Sequence, residues 1–335
     1  MNDRAPQSSM RASVIGPLWP DSFADNIASG LRDLGITVTE HGAPHPKPRA
    51  RLTAVALETA FRSHQLDMRW QMRLANEILD AAPDVVVSTD ARLLPEAVGR
   101  MRQAGVRVAM WFPDCVANVG RFHMLAAEYD VLAFKDPLLV QRLRATYAAN
   151  VRYLPEACRP GWHSPPVGVT PKPGPIAVVG NMYPSRLMLL RRLHDDGVPL
   201  QLFGSGFPRW SHPGPLQGLH TGEHVTGLRK AEVFRGASAV LNNLHPAEID
   251  GVNARLFEAT GCGALVLTES RPTLSSLFDD DEVVGFASYE ELLGAARAAA
   301  AGDLPAKEFG DRASARAHAE HRYVDRLTRL LEWLT

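Results

Sequence analysis

The sequence predicts an α/β protein of two Rossmann-like, doubly wound domains closed by a terminal helix. Three observations carry that expectation. Short apolar runs of strand length alternate with helix-period segments along almost the whole chain. A stretch with six prolines and three glycines, CRPGWHSPPVGVTPKPGP at 158–175, interrupts the alternation near its midpoint. A length of 335 residues with 45% hydrophobic content is enough for two cores.

In the first half, RASVIGP (11–17) is an apolar run broken by Gly-Pro and reads as a buried strand. A helix follows, with Asp21 or Ser22 as its cap and Phe23, Ile27, Leu31 and Leu34 on one face. ITVTEHG is the next strand, residues 43–50 a proline-rich loop, and 51–80 one helix stopped by Pro83. DVVVSTD, VRVAMWFPD, DVLAFKD and VRYLPEA are further strands, with PEAVGRMRQAG and PLLVQRLRATYA as helices between them. Ligands of such sheets sit at the carboxyl ends of strands. Those ends carry Gly16, Thr89-Asp90, Asp114 and Asp136.

A second wind starts at PIAVVGN. It continues through the helix SRLMLLRRLHDDG, the strand VPLQLFGSGF, the helix LRKAEVFRGA, the strand SAVLNNL, the helix NARLFEATGCG and the strand ALVLTES. EVVGFAS and YEELLGAARAAAAG complete it, and one long terminal helix is expected after them. The expected domains are therefore 1–157, a hinge at 158–175, a second domain at 176–306, and a terminal helix at 307–335 that packs back on the first domain. A hinge between two winds creates a cleft, a common ligand site.

Composition excludes several classes. Charge is balanced at −1, which argues against a generally basic nucleic-acid binder. Of the 36 basic residues 31 are Arg, so a single Arg counts as a phosphate ligand only where its position supports it. Cys115, Cys158 and Cys262 are odd in number and far apart, without metal spacing. MNDRAPQSSM holds no apolar leader core, and no run approaches a membrane span. The expectation is a soluble cytoplasmic protein with no bound metal or cofactor.

The most informative stretch is DGVNARLFEATGCGALVLTE at 250–269. Gly251, Val252 and Asn253 open a helix, and the free N–H groups of a helix start attract anions. Glu258, about one and a half turns in, can accept hydrogen bonds from ribose hydroxyls. Asp250 lies eight positions earlier, over the helix start. Two carboxylates flanking an anion site suit a nucleotide-sugar; the alternative is that Asp250 only caps the helix. On the VVGN turn, Asn181 precedes Arg186, which falls in the first turn of the next helix.

This order of elements resembles the donor domain of retaining GT-B glycosyltransferases, in which a Glu-x7-Glu motif holds the donor. Asp250 stands at the first position of that motif, one methylene shorter than the usual Glu, and Glu258 matches the second. Across nearly the whole chain, VIGP, WFPD, YDVLAFKD, VRYLPEA, VVGN, LFGSGF, VTGLRKAEVFRGASAVLNN, VNARLFEATGCGALVLTE and HRYVDRLTRLL resemble the bacterial, spore-maturation CgeB-like branch. The resemblance implies that Glu258 binds the donor ribose, that Gly251, Val252 and Asn253 present N–H groups to the diphosphate, and that Asp250 touches the transferred sugar. Arg186 matches the residue that reaches the diphosphate. Relatives place a Lys near that point, and none is adjacent here.

Gly204, Ser205 and Gly206 could admit the nucleobase to the backbone, with Thr226 close to it; Asn242 and Asn243 read as buried, satisfied amides. On the acceptor side Asp114 is the candidate acid, His123 a candidate for orienting acceptor or leaving phosphate, and Gly16 and Phe23 line the acceptor loop. His163 and His245 read as structural. The implied activity is a hexosyl-type transfer from a UDP-, GDP- or dTDP-sugar to an unidentified acceptor hydroxyl or amine. Retention is implied, and no metal is called for, because no Asp-x-Asp lies at a predicted strand end to hold one. Two alternatives stand beside it: a non-catalytic nucleotide-sugar binder, and a nicotinamide oxidoreductase. The latter lacks a Gly-x-Gly-x-x-Gly after the first strand.

Overall fold

A computed structural model describes residues 10–46, 50–121 and 123–334. The amino-terminal segment 1–9 and part of the proline-rich loop, 47–49, lie outside the described residues. The chain divides into two compact units. One runs to Leu154 and takes in the terminal segment from Val324; the other is Pro155–Tyr323.

The first unit holds a six-stranded parallel sheet in the order β2-β1-β3-β4-β5-β6. Its strands are β1 (Arg11–Ile15), β2 (Thr37–His41), β3 (Val85–Ser88), β4 (Arg107–Phe112), β5 (Val131–Phe134) and β6 (Val151–Tyr153). Strands β3 and β5 are buried along their whole length, as expected of a parallel sheet covered on both faces. Helix α1 (Phe23–Asp33) is capped by Ser22, whose hydroxyl accepts from Asp25 N–H at 3.1 Å. The single helix expected over 51–80 is two, α2 (Arg51–Ala60) and α3 (His64–Asp80). The break follows Phe61, which stacks on His45 at 4.3 Å and meets Trp70 edge-on at 5.8 Å. These tertiary ring contacts override helix continuity. Helices α4 (Pro95–Gln103) and α5 (Pro137–Tyr147) complete the layer pattern. The core joins Val86, Val108 and Leu132 of the sheet to Ile78 of α3, Met101 of α4 and Leu143 of α5.

The second unit holds a five-stranded parallel sheet in the order β11-β10-β9-β7-β8. Its strands are β7 (Ile176–Val179), β8 (Leu200–Phe203), β9 (Val240–Asn242), β10 (Val266–Glu269) and β11 (Val284–Phe286). Helices α6 (Pro184–Asp195) and α9 (Tyr289–Ala301) cover one face, burying Leu190 and Ala296. Helices α7 (Gly227–Gly236) and α8 (Ala254–Gly261) cover the other, burying Phe234 and Phe257. Between β7 and β9 the winding reverses direction, and crevices at such switch points hold ligands.

Two expectations are corrected here. The proline-rich stretch 158–175 is counted in the second unit rather than lying between two units. Cys158 and His163 in it are fully buried, and Gly174 N–H donates to the Ala300 carbonyl at 2.9 Å. The terminal helix is also two, α10 (Ala306–Glu320) and α11 (Tyr323–Glu332). Arg322 leaves the helix to pair with Cys158 as an isolated parallel bridge. Cys158 N–H donates to the His321 carbonyl at 2.8 Å and Tyr323 N–H to the Cys158 carbonyl at 3.1 Å. Among the described residues no helix is long and apolar enough to cross a membrane.

Candidate donor and acceptor sites

At the switch point of the second sheet two arginines meet. Arg186, in the first turn of α6, is 1% exposed. Its Nε donates to Asn243 Oδ1 at 2.9 Å, its Nη2 to the Asn243 carbonyl at 3.3 Å and its Nη1 to the Asn181 carbonyl at 3.0 Å. Arg255, in the first turn of α8, donates from Nη1 to Asn242 Oδ1 at 3.2 Å. A Cβ placed on Gly180 would lie 2.5 Å from Arg255 Nη2 and 3.3 Å from Arg186 Nη1. The two guanidiniums thus converge on the bare backbone that follows β7. Asn242 and Asn243, one at the end of β9 and the other just past it, each hold one of them.

The electrostatics are unfavourable as they stand. Burial first, and Arg255 second, push the Arg186 pKa down to about 9, so it stays charged at neutral pH. Desolvation likewise lowers Arg255, opposed by Glu258. Neither forms an ion pair with a carboxylate among the described residues; their hydrogen-bond acceptors are neutral amides and carbonyls. The Tyr183 ring adds a face to Arg186 at 4.8 Å, and its hydroxyl accepts from Asn243 Nδ2 at 2.8 Å. A buried and a half-buried guanidinium side by side, with neutral hydrogen-bond acceptors and only the more distant charges of Glu258 and Glu156 acting on Arg255, make a place that gains from an anion.

Glu258 lies on α8 and pairs with Lys230 of α7 at 3.0 Å, with side chains only 14% and 7% exposed. The buried His163 puts a ring nitrogen within 4.8 Å of the same carboxylate. Asn253 is the N-cap of α8 but makes no side-chain cap bond, and its Oδ1 is buried with no partner. Asp250 lies three residues before that N-cap position. Its Oδ1 accepts from Thr273 N–H at 3.0 Å, tying the loop before α8 to the loop after β10. Gly251 and Val252 are buried beside it.

The β8 turn is set by a close backbone approach. Gly204 has φ +116°, and a Cβ there would lie 2.7 Å from the Gly180 carbonyl oxygen. Ser205 donates to Asn181 Oδ1 at 3.1 Å, while Gly206 has open space around it. Thr226 is the N-cap of α7 without a side-chain cap bond. His245 is exposed, its ring 5.1 Å from Tyr183.

In the first unit, Gly16 follows β1 where any Cβ would sit 2.1 Å from Thr89 Oγ1. Phe23 packs edge-on against the buried Trp111 at 4.9 Å. Asp114 is exposed and accepts from Cys115 N–H at 2.7 Å and from Asn118, which is the bonding of a turn residue. His123 is exposed at the start of a short 3-10 turn, His123–Leu125. None of these four lines the pocket of about 560 Å³ formed by His45, Phe61, Arg62 and Arg92 with parts of α2. The floor of that pocket is hydrogen-bonded throughout. Asp67 is 6% exposed and bonds His45 at 2.9 Å, Gln71 donates to both Asp67 and the Arg92 carbonyl, and Arg92 pairs with Asp90.

Sequence reasoning missed Arg255 and Lys230. Arg255 is hidden by the abundance of arginine, although it sits in the first turn of the anion-site helix. Lys230 had a signal: it is one of only five lysines and falls at helical spacing with the apolar Val233 and Phe234. The pocket at His45 needs long-range packing and had none.

Two parallel-sheet α/β units with a basic crevice at the second switch point define a GT-B fold. Solved glycosyltransferases share it over full length. Sucrose-phosphate synthase from Thermosynechococcus elongatus superposes with a TM-score of 0.67 at 12% identity, covering 96% of this chain and 98% of that one. AviGT4, a glycosyltransferase involved in avilamycin A biosynthesis, gives 0.64 at 17% identity with 97% of each chain covered. A glycosyltransferase from Rickettsia africae gives 0.62 at 10% identity, again with 97% of each covered. Residues 186–332 match the model of a family described as glycosyl transferase-like. That span contains Arg186, Lys230, Asp250, Arg255 and Glu258. Among curated protein sequences none matches the chain.

Proposed function

We propose that this protein is a glycosyltransferase of the CgeB-like type that moves a hexosyl group from a nucleotide-diphosphate sugar to an acceptor hydroxyl or amine, with retention and without a metal. One observation carries the reading: the buried Arg186 and the half-buried Arg255 lie side by side at the sheet's switch point, and the acceptors of their hydrogen bonds are neutral amides and carbonyls. A diphosphate between them relieves their repulsion and gains two charge-assisted contacts. The start of α8 adds N–H groups from Gly251, Val252 and Asn253, and Lys230 stands within reach through its pair with Glu258.

Charge on the departing diphosphate is stabilised by Arg186, Arg255 and the α8 N-terminus. Glu258 accepts from the ribose hydroxyls, Asp250 faces the transferred sugar, and the base lies along Gly204–Gly206 near Thr226. The acceptor hydroxyl passes its proton to the leaving phosphate oxygen on the face where the sugar departs. The acceptor lies in the first unit, at the pocket of His45, Phe61, Arg62 and Arg92, with Gly16, Phe23, Asp114 and His123 in supporting places. Three cationic side chains meet the need for positive charge at the diphosphate, which is the argument for metal independence.

The test is a thermal-shift and calorimetric screen of UDP, GDP and dTDP, followed by hydrolysis of the matching donor sugars with and without EDTA. One nucleotide is expected to bind, and Glu258→Ala to weaken it by the equivalent of about 1.5–3 kcal/mol. Turnover is expected to survive the chelator. Binding without any turnover would make the protein a nucleotide-sugar binder. No nucleotide binding would remove the reading altogether.

A further inference from the structure

A second recess of about 560 Å³ lies in the second unit on the outward stripe of α6, a size typical of ligand pockets. Pro184, Met188, Arg191 and Asp195 recur there at helical spacing, while Arg186, Leu190 and Leu193 of the same helix turn inward. The loop after β8 closes the recess. Its turn at Pro208–Ser211 is fixed by Ser211, whose N–H and hydroxyl both donate to the Pro208 carbonyl at 2.9 and 2.7 Å. That turn presents Trp210 with 59% of its surface exposed.

Two charged side chains of the recess are uncommitted. Arg191 and Asp195 stand four residues apart on the helix, yet they form no ion pair, and neither has a hydrogen-bond partner among the described residues. Their neighbours are committed: Arg192 lies over the Tyr289 ring at 3.7 Å, and Asp196 accepts from the Tyr289 hydroxyl. An exposed indole beside one free donor group and one free acceptor group has a specific chemistry. The indole face offers a flat apolar platform, and the carboxylate and guanidinium together satisfy adjacent hydroxyls that both donate and accept. Arg191 and Arg192 balance Asp195 and Asp196, with His212 beside them, so the recess carries no strong net charge and suits a neutral polyol.

We propose that the α6–Trp210 recess is a second binding site for a neutral saccharide, with a pyranose ring stacked on Trp210 and its hydroxyls on Asp195 and Arg191. It uses none of the residues of the donor site and stands independently of the reading given for that site.

The test uses the full chain with maltohexaose, cellohexaose, mannohexaose and chitohexaose, measured by saturation-transfer NMR and calorimetry. At least one is expected to bind. Trp210→Ala should weaken it by about tenfold, Trp210→Phe should keep part of the affinity, and Asp195→Asn should weaken it too. Nucleotide affinity should be unchanged in all three variants. The proposal is overturned if none of the four oligosaccharides binds, or if binding ignores both Trp210→Ala and Asp195→Asn. It is equally overturned if UMP competes with the saccharide or nucleotide affinity falls with Trp210→Ala, since Trp210 would then be a platform for the base.

Discussion

Arg255 is where function and stability pull apart most clearly. Its guanidinium donates one hydrogen bond to Asn242 and is drawn to Glu258 and Glu156, but it sits desolvated beside another cation. Losing that bond costs the empty protein about 1–2 kcal/mol, and relief of the repulsion offsets much of this. Arg255→Met is therefore expected to change unfolding free energy by less than about 1 kcal/mol in urea titration, while nucleotide-diphosphate affinity falls by about 10- to 100-fold. A large stability loss with intact nucleotide binding would make Arg255 a structural residue. Asp250 gives a second separation. Asn at 250 still accepts from Thr273 N–H, so the loop tie is kept. If Asp250 serves the sugar, Asp250→Asn lowers turnover by about tenfold or more and leaves free nucleotide affinity alone. Steady-state kinetics beside calorimetry decide it, and unchanged turnover reduces Asp250 to a loop fastener.

The contact between the turns after β7 and β8 depends on glycine in an unequal way. Gly204 is held at φ +116° where a Cβ would run into the Gly180 carbonyl, whereas Gly206 faces open space. Gly204→Ala is expected to cost about 2–3 kcal/mol and Gly206→Ala less than about 0.5 kcal/mol, as read from chemical denaturation. Equal effects would mean that the turn relaxes freely. The strands were legible because a parallel sheet buried on both faces needs continuous apolar runs, and Val85–Ser88 and Ile176–Val179 are such runs. The ends of helices were less so. Nothing local in Phe61–Ser63 announces that His45 and Trp70 will stop α2, and nothing in His321–Arg322 announces pairing with Cys158, some 160 residues earlier in the chain. The same divide runs through the donor site. Arg186 was singled out by its place in the first turn of a helix and Glu258 by its motif spacing from Asp250, whereas the Lys230–Glu258 pair and the paired amide anchors need the fold.

Every charged group assigned to the diphosphate belongs to Pro155–Tyr323. That segment has its own sheet and helices on both of its faces. Expressed alone, residues 155–323 are expected to fold cooperatively and to bind the nucleotide with an affinity close to that of the full chain, without transfer activity. A folded fragment that fails in calorimetry would assign an essential nucleotide contact to the first unit. The closure at Cys158 and Arg322 makes this fragment unusual among pieces of a chain. Its first and last turns lie side by side, zipped by two backbone hydrogen bonds. A segment whose entrance and exit coincide can be lifted out as a cassette, rejoined head to tail with new termini opened at a surface loop, or spliced into a hairpin turn of a foreign host without stretching either partner.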